Sequence, residues 1–280
     1  MQIRGLRLYA FAVSLVLFSA ATARAQYKPR PVNDPATGES YHIEASAGWW
    51  FSNADLTVTS SGSGALTGLV GTSINGQTDL GMPADNRFPN LSLVLRPARS
   101  HKFRLNFVPL SFDGAKTVTR DIDFNGQRYH IGLPVTSTLS WKAARFSYEY
   151  DFITRNTWYV GFILEAKYTD LSVNLTTPGP PAIAEFDQAR APIPALGFVG
   201  RAYVVPNISI TGEVTAFKIP TIQDKYSGHY VDVDVYGTIN LIEYFGVQAG
   251  YRSMDFGFLA KTDSASFVVK GPYVGVVVRY

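Results

Sequence analysis

The sequence predicts an all-β chain folded as an antiparallel transmembrane β-barrel of about ten strands, within a range of about eight to twelve. Three observations predict it. First, apolar and polar residues alternate over membrane-spanning lengths. In Tyr230 to Ile242, Val231, Val233, Val235, Gly237, Ile239 and Leu241 stand on one phase, and Asp232, Asp234, Tyr236, Thr238 and Asn240 on the other. A strand sends successive side chains to opposite faces, so one face of this segment suits lipid and the other suits water. Second, such segments are joined alternately by very short and by long connections, as in a barrel with small turns on one side and loops on the other. Third, beyond the N-terminal segment no apolar run approaches the ~20 residues of a membrane helix, so insertion must be by strands. A strand in hydrocarbon cannot leave its edge unpaired, and this requires closure.

At the N-terminus, Arg4 and Arg7 precede an apolar run from Leu8 to Ala20 and the small-residue stretch Ala23-Arg24-Ala25. This is the layout of a secretory signal peptide, and the run is too short for a membrane anchor. Residues 1–25 are read as signal, with cleavage at Ala25 and Ala23 the lesser option. Residues 26–40 are an exposed periplasmic leader, and residues 41–280 are the barrel domain. Of 25 basic residues, Arg4, Arg7 and Arg24 leave with the signal, so 22 face 22 acidic ones. That balance gives no case for nucleic acid. The absence of cysteine excludes disulfides, thiolate metal sites and a cysteine nucleophile. No residue spacing suggests a metal or cofactor site.

Strands are expected at 41–59, 87–98, 101–123, 129–152, 156–175, 191–205, 207–219, 225–242, 244–259 and 264–280. In the fourth, Leu139 and Trp141 share the apolar face with Ala144, Phe146, Tyr148, Tyr150 and Phe152, and a β-bulge near Lys142 and Ala143 would absorb the phase slip. Short links at 98–100, 154–156, 205–207 and around Glu243 are assigned to the periplasm. The long links 60–86 and 176–190 are extracellular loops, and Asn125-Gly126 is a tight hairpin tip projecting above the membrane. Trp158, Tyr159, Tyr244, Phe245 and Tyr280 form an inner aromatic girdle, with Trp49, Trp141 and Tyr168 in the outer one.

The chain ends Gly275-Val276-Val277-Val278-Arg279-Tyr280. Gly275, Val278 and Tyr280 resemble the terminal strand of Gram-negative outer-membrane β-barrel proteins, whose aromatic last residue is part of an insertion signal. The polar residue often found before the glycine is replaced by Val274. The resemblance implies residence in the bacterial outer membrane, contact with its lipid and lipopolysaccharide, and insertion by the barrel-assembly machinery after escort by periplasmic chaperones. It carries no catalytic residues with it and leaves the oligomeric state open.

Function is read from the inward phase. Glu44, Glu149, Asp151, Glu165, Glu213, Asp232 and Asp234 face Arg96, Arg104, Arg145, Lys167, Arg201, Arg252 and Arg279. A charge facing hydrocarbon at midplane would cost ~2–4 kcal/mol, so their shared phase supports the barrel. The expected role is structural, with a salt-bridged, hydrated interior, or a porin-like small-solute channel. A lipid-A-modifying hydrolase or protease acting through His229 with Asp232 and Asp234, or near His130, is the enzymatic alternative, although the expectation is that the protein is not an enzyme. An adhesin acting through the extracellular loops is the other.

Overall fold

A computed structural model describes residues 36–61, 71–177, 184–223 and 225–280, with the backbone alone in 184–191. The signal segment with Ala23 and Ala25, and most of the leader, lie outside the described residues.

The wall consists of β1 (Ile43–Thr59), β3 (Asp85–Ala98), β4 (His101–Thr117), β7 (Pro134–Thr154), β8 (Trp158–Thr176), β9 (Ala184–Val205), β10 (Ile208–Ile222), β11 (Tyr226–Asn240), β12 (Phe245–Ala260) and β13 (Asp263–Arg279). Each pairs antiparallel with its neighbour in the wall, and β13 returns to β1, which closes ten strands into a barrel. Two hydrogen bonds from the His42 and Ile43 amides to the Tyr280 carbonyl, and one from Tyr280 back to Ile43, finish the seam. Gly275 lies opposite Gly48 there, and a Cβ on Gly48 would meet Gly275 Cα at 2.7 Å. The glycine of the terminal pattern thus permits close approach of the two closing strands.

Three short strands belong to the loops. β2 (Ile74–Asn75) pairs with β1, and β5 (Ile122–Phe124) with β6 (Gln127–Tyr129) forms a separate hairpin. Asn125 and Gly126, at φ 49° and 80°, are its tip, which suits the left-handed turn that Asn-Gly favours. The expected third strand therefore stops at Thr117 instead of 123. Conversely β9 starts at Ala184, so the loop expected over 176–190 is shorter, because β8 and β9 continue pairing up to Thr176 and Ala184.

Wall strands of 14 to 22 residues exceed the ~9–11 that a tilted strand needs to cross the bilayer. The surplus stands above the membrane, and the polarity of the wall records the boundary. On β1 the outward residues run Ile43, Ala45, Ala47, Trp49, Phe51 and then Asn53, Asp55, Thr57; on β4 they run Phe103, Leu105, Phe107, Pro109 and then Ser111, Asp113. On β7, Phe152 to Ala144 gives way to Lys142, Ser140 and Thr138. The interior does the opposite. Beside lipid it carries charge, and above lipid it carries Leu56, Leu110, Phe112, Leu139, Trp141, Leu171, Val173, Phe256 and Phe267, all buried. Once the outer face meets water, the apolar phase must turn inward to be buried.

This inversion corrects the fourth strand. β7 pairs with β4 from Pro134 to Tyr150 and with β8 from Thr136 to Asp151 without a shift near Lys142 or Ala143; the irregularity lies at Asp151 to Ile153. No bulge is needed, because Leu139 and Trp141 point inward. Trp141 is thus removed from the outer girdle, where Trp49 and Tyr168 are exposed, and Trp49 carries the Arg87 guanidinium 4.6 Å above its ring. Tyr159 likewise leaves the inner girdle for the lumen, whereas Trp158, Tyr244 and Tyr280 are exposed on the outside.

Candidate functional site

The inward phase of the wall places the fourteen expected interior charges in the lumen and links most of them. At the centre, Asp232 on β11 receives Arg252 Nε and Nη2 from β12 at 3.0 and 2.7 Å and Arg145 Nη1 from β7 at 2.6 Å. The Tyr230 hydroxyl adds a fourth hydrogen bond at 3.2 Å. Beside it, Glu165 on β8 holds Lys167 Nζ at 2.7 Å and accepts from the Ser147 hydroxyl at 2.7 Å. Lys167 also lies 3.3 Å above the Tyr230 ring. These groups come from four strands yet converge because each lies on the same phase at neighbouring heights.

Toward the short-turn end a second cluster follows. Lys102 Nζ bridges Glu149 Oε1 at 2.7 Å and lies 2.9 Å from Asp151 Oδ2, and Arg104 joins Glu149 at 2.9 Å to Glu213 at 2.6 Å across the bore. Tyr159 floors this cluster, its ring 3.6 Å from Lys102 Nζ, which explains its inward position. Gly161 leaves the space for Asp151, since a Cβ there would lie 2.5 Å from Asp151 Oδ1. Lys102 was not among the expected charges. It shares the phase of Arg104, but it follows the turn directly, where too few residues precede it to define a phase. Asp234 accepts from the Tyr273 hydroxyl at 3.0 Å, and Arg279 closes the lower rim on Glu44 at 2.6 Å and Asn240 at 2.6 Å.

The described end of the leader, residues 36–40, caps the mouth at the short-turn end, where the sequence predicts an exposed segment. The Ala36 and Thr37 amides bond to the carbonyls of Asn156 and Pro206 in two of the short turns. Glu39 enters the bore and is held by Arg201 at 2.9 Å, Tyr203 at 2.8 Å and Arg96 at 3.3 Å. Burial pushes its carboxyl up, but Arg201, Lys102 and Arg96 outweigh that and hold it below the usual carboxylate range. No alternation marks a coil segment, so the sequence carries no signal for this contact. A cavity of about 410 Å³ at this mouth is lined by residues including Glu39, Tyr41, Arg96, Arg155 and Tyr159.

At the other end, the loops pack onto the apolar interior. Ile74, Leu80 and Met82 from the first loop and Ile122, Phe124 and Tyr129 from the β5–β6 hairpin are buried in the same cluster as Trp141. The two loops are joined by Thr72 to Asp123 at 2.8 Å and by Arg120, which grips Asp79 at 2.7 and 3.1 Å. Burial raises Asp79, yet the Arg120 guanidinium and the Asn75 amide outweigh it and keep its carboxyl below the usual value of 3.8. Hydrogen bonding to Arg128 does the same for Asp123. Because both folded values are depressed, the ionised pairs stabilise the loops above the unfolded value and lose that contribution as pH falls through the lower folded ones. Amide exchange is expected to show the turn at Asp79 and the β5–β6 hairpin losing protection below about pH 4 before the wall does.

The proposed histidine constellation is not assembled. His229 stands on the outer face, 3.0 Å from Asp255 on β12, whereas Asp232 and Asp234 point into the lumen. An odd and an even position of one strand lie on opposite sides of the wall. His130 lies exposed in a loop, 3.7 Å from Asp121. Among the described residues no group of three or more His, Asp or Glu side chains could hold a metal ion.

No family model matches the chain, and no curated protein matches it in sequence. Among solved structures it is similar to the outer membrane protease OmpT from Escherichia coli, with a TM-score of 0.55 at 7% identity over 85% of this chain and 96% of that one. It also matches the Pseudomonas putida toluene transporter TodX at a TM-score of 0.39 and 9% identity, covering 89% and 93%. The translocator domain of the autotransporter NalP from Neisseria meningitidis gives 0.35 at 7% identity, covering 98% of each. The likeness at this identity is one of fold, and the chain is an all-β, closed antiparallel barrel of the outer-membrane type.

Proposed function

We propose that the protein resides in the bacterial outer membrane as a closed barrel, structural in character, that anchors a folded extracellular platform and does not serve as an open diffusion channel. One observation carries the reading: side chains cross the bore at three successive levels. Glu39 and its partners reach across the mouth beside the cavity there, the Asp232 and Glu149 clusters cross the membrane level, and Trp141, Phe256 and Phe267 stack above them with ring centroids 5.6 to 6.2 Å apart. A ten-strand barrel lies close to the eight-strand size whose interior side chains can fill, far from the sixteen or more strands of an aqueous porin. The platform consists of the strand ends above the boundary and the two docked loops, held by a core of their own. The Tyr280 backbone closes the barrel, and its side chain is 83% exposed on the outside.

Solute entry into reconstituted vesicles tests this. The mature chain is expected to leave vesicles impermeable to a small sugar. A chain lacking residues 26–40 is expected to do the same, because the ionic and apolar layers remain. Rapid swelling with the mature chain would refute the closed reading and restore the porin-like one. Swelling confined to the truncated chain would place the seal in the leader.

A further inference from the structure

We infer that the long-loop end of the barrel holds a pocket for a small, uncharged aromatic molecule that bears one hydrogen-bonding group and enters from the water. The site is independent of whether the bore conducts.

The wall is not zipped to its top. β9 and β10 pair from Val205 and Ile208 up to Leu196 and Ala216. Above that level no pairing joins them among the described residues, although β9 continues on β8 to Ala184 and β10 continues on β11 to Ile222. The two unjoined stretches contain Pro192 and Pro194 on one side and Pro220 on the other, and proline, which cannot donate to a ladder, belongs at strand edges. The gap rises through the height where Lys218, His229 and Asp255 make the outer face polar. Ile219 and Tyr226 lie on the inward phase there and are still 39% and 41% exposed, so the opening leads to water.

Behind the gap lies a cavity of about 390 Å³, a size usual for small-molecule sites. The strand register builds it. Phe217, Tyr230 and Phe256 are cross-strand neighbours on the inward phase, and one step higher stand Ile219, Gly228 and Phe258. Glycine in the middle of the upper row leaves a slot between an aliphatic and an aromatic side chain, since a Cβ on Gly228 would meet nothing nearer than the Gly257 carbonyl at 3.7 Å. Ile193 of β9 and Thr169 of β8 also line the cavity. A slot flanked by rings suits a flat apolar body, and water would find few polar partners in it.

Thr169 supplies the polar contact. It is 4% exposed, and its hydroxyl has no hydrogen-bond partner among the described residues. A buried hydroxyl left unpaired is costly, so an occupant that brings one donor or acceptor is favoured over a pure hydrocarbon. Charge is disfavoured. Among the described residues that line the cavity there is no Asp, Glu, Lys or Arg, and the His229 imidazole is held by Asp255 at 3.0 Å. The rim mixes Lys218, Lys225 and Lys261 with Asp255 and Asp263, and so attracts neither sign. An ion in the slot would lose its hydration without gaining a counter-charge.

The chain has no cysteine, so Ile219→Cys places a single thiol at the opening. In the full mature chain held in lipid nanodiscs, the rate at which that thiol reacts with a water-soluble maleimide reads the occupancy of the pocket. 1-Naphthol, uncharged at neutral pH and carrying one hydroxyl, is expected at about ten times its Kd to slow the reaction about tenfold. A thiol from Lys142→Cys on the outer face should react at an unchanged rate. Failure to protect Ile219→Cys would overturn the site, and so would equal protection of both thiols. Adding Gly228→Leu fills the slot and should abolish the protection, whereas protection that persists would remove the cavity from the account. Thr169→Val keeps the shape and removes the hydroxyl. It is expected to weaken 1-naphthol about fivefold and to leave naphthalene unchanged, and an equal effect on both would refute the role of the hydroxyl. Protection by 1-naphthalenesulfonate as strong as that by 1-naphthol would refute the selection of an uncharged occupant.

Discussion

Asp232→Ala is expected to destabilise the barrel by about 3–5 kcal/mol, the usual cost of removing one partner from a buried ion cluster. The loss exceeds that of a single pair because Asp232 is the common acceptor for Arg145 and Arg252, and Lys167 Nζ lies 3.9 Å away. All four side chains are almost completely shielded from solvent. Without the carboxylate, two guanidinium groups are left in a confined space, offset by Glu165, 3.9 Å from Arg145, and by Asp234, the cross-strand partner of Arg252. Guanidinium-induced unfolding in vesicles, followed by tryptophan fluorescence, measures the change. Adding Arg252→Met to Asp232→Ala should recover part of it by removing one unpaired charge. A loss below about 1 kcal/mol would mean that the bore is hydrated enough to screen these charges as a surface does.

Trp141→Ala is the counterpart in the upper half and should cost about 3–5 kcal/mol, since it opens a large hole in a packed apolar cluster. Trp141 is 1% exposed and lies against Phe256 and Phe267 at 5.6 and 5.7 Å between ring centroids. Its indole N–H has no hydrogen-bond partner among the described residues. Trp141→Phe keeps much of the volume and removes that unpaired donor, so it should cost less than about 1.5 kcal/mol. The contrast between the two variants separates packing from polarity. Were Trp141 in the lipid girdle, as its place in the apolar alternation suggests, both would have similar and small effects.

That residue also shows what alternation can and cannot reveal. Period two locates the two faces of each strand, and so the lumenal charges from Glu44 to Arg279 were legible, as were the strand number and the hairpin tip at Asn125-Gly126. It does not say which face is which, because the solvent outside the wall changes from lipid to water along the strand. Leu139 and Trp141 therefore look out of phase with Phe146 and Tyr148 while the backbone keeps its register. Tyr159 was misplaced for a related reason, as its ring serves a buried lysine and not the interface. The pairing of His229 with Asp255 depends on the β11–β12 register, in which His229 faces Gly257 and Val231 faces Asp255. The docking of Glu39 depends on a coil segment. Neither leaves a periodic trace in the chain.

The central claim is that the barrel is sealed, and single-channel recording of the refolded mature chain in a planar lipid bilayer tests it most directly. The filled bore predicts a folded protein, verified by its resistance to unfolding in detergent, that gives no discrete conductance steps. Reproducible openings of uniform size from that same folded protein would contradict the account and make the Arg104 and Arg252 clusters the lining of a channel.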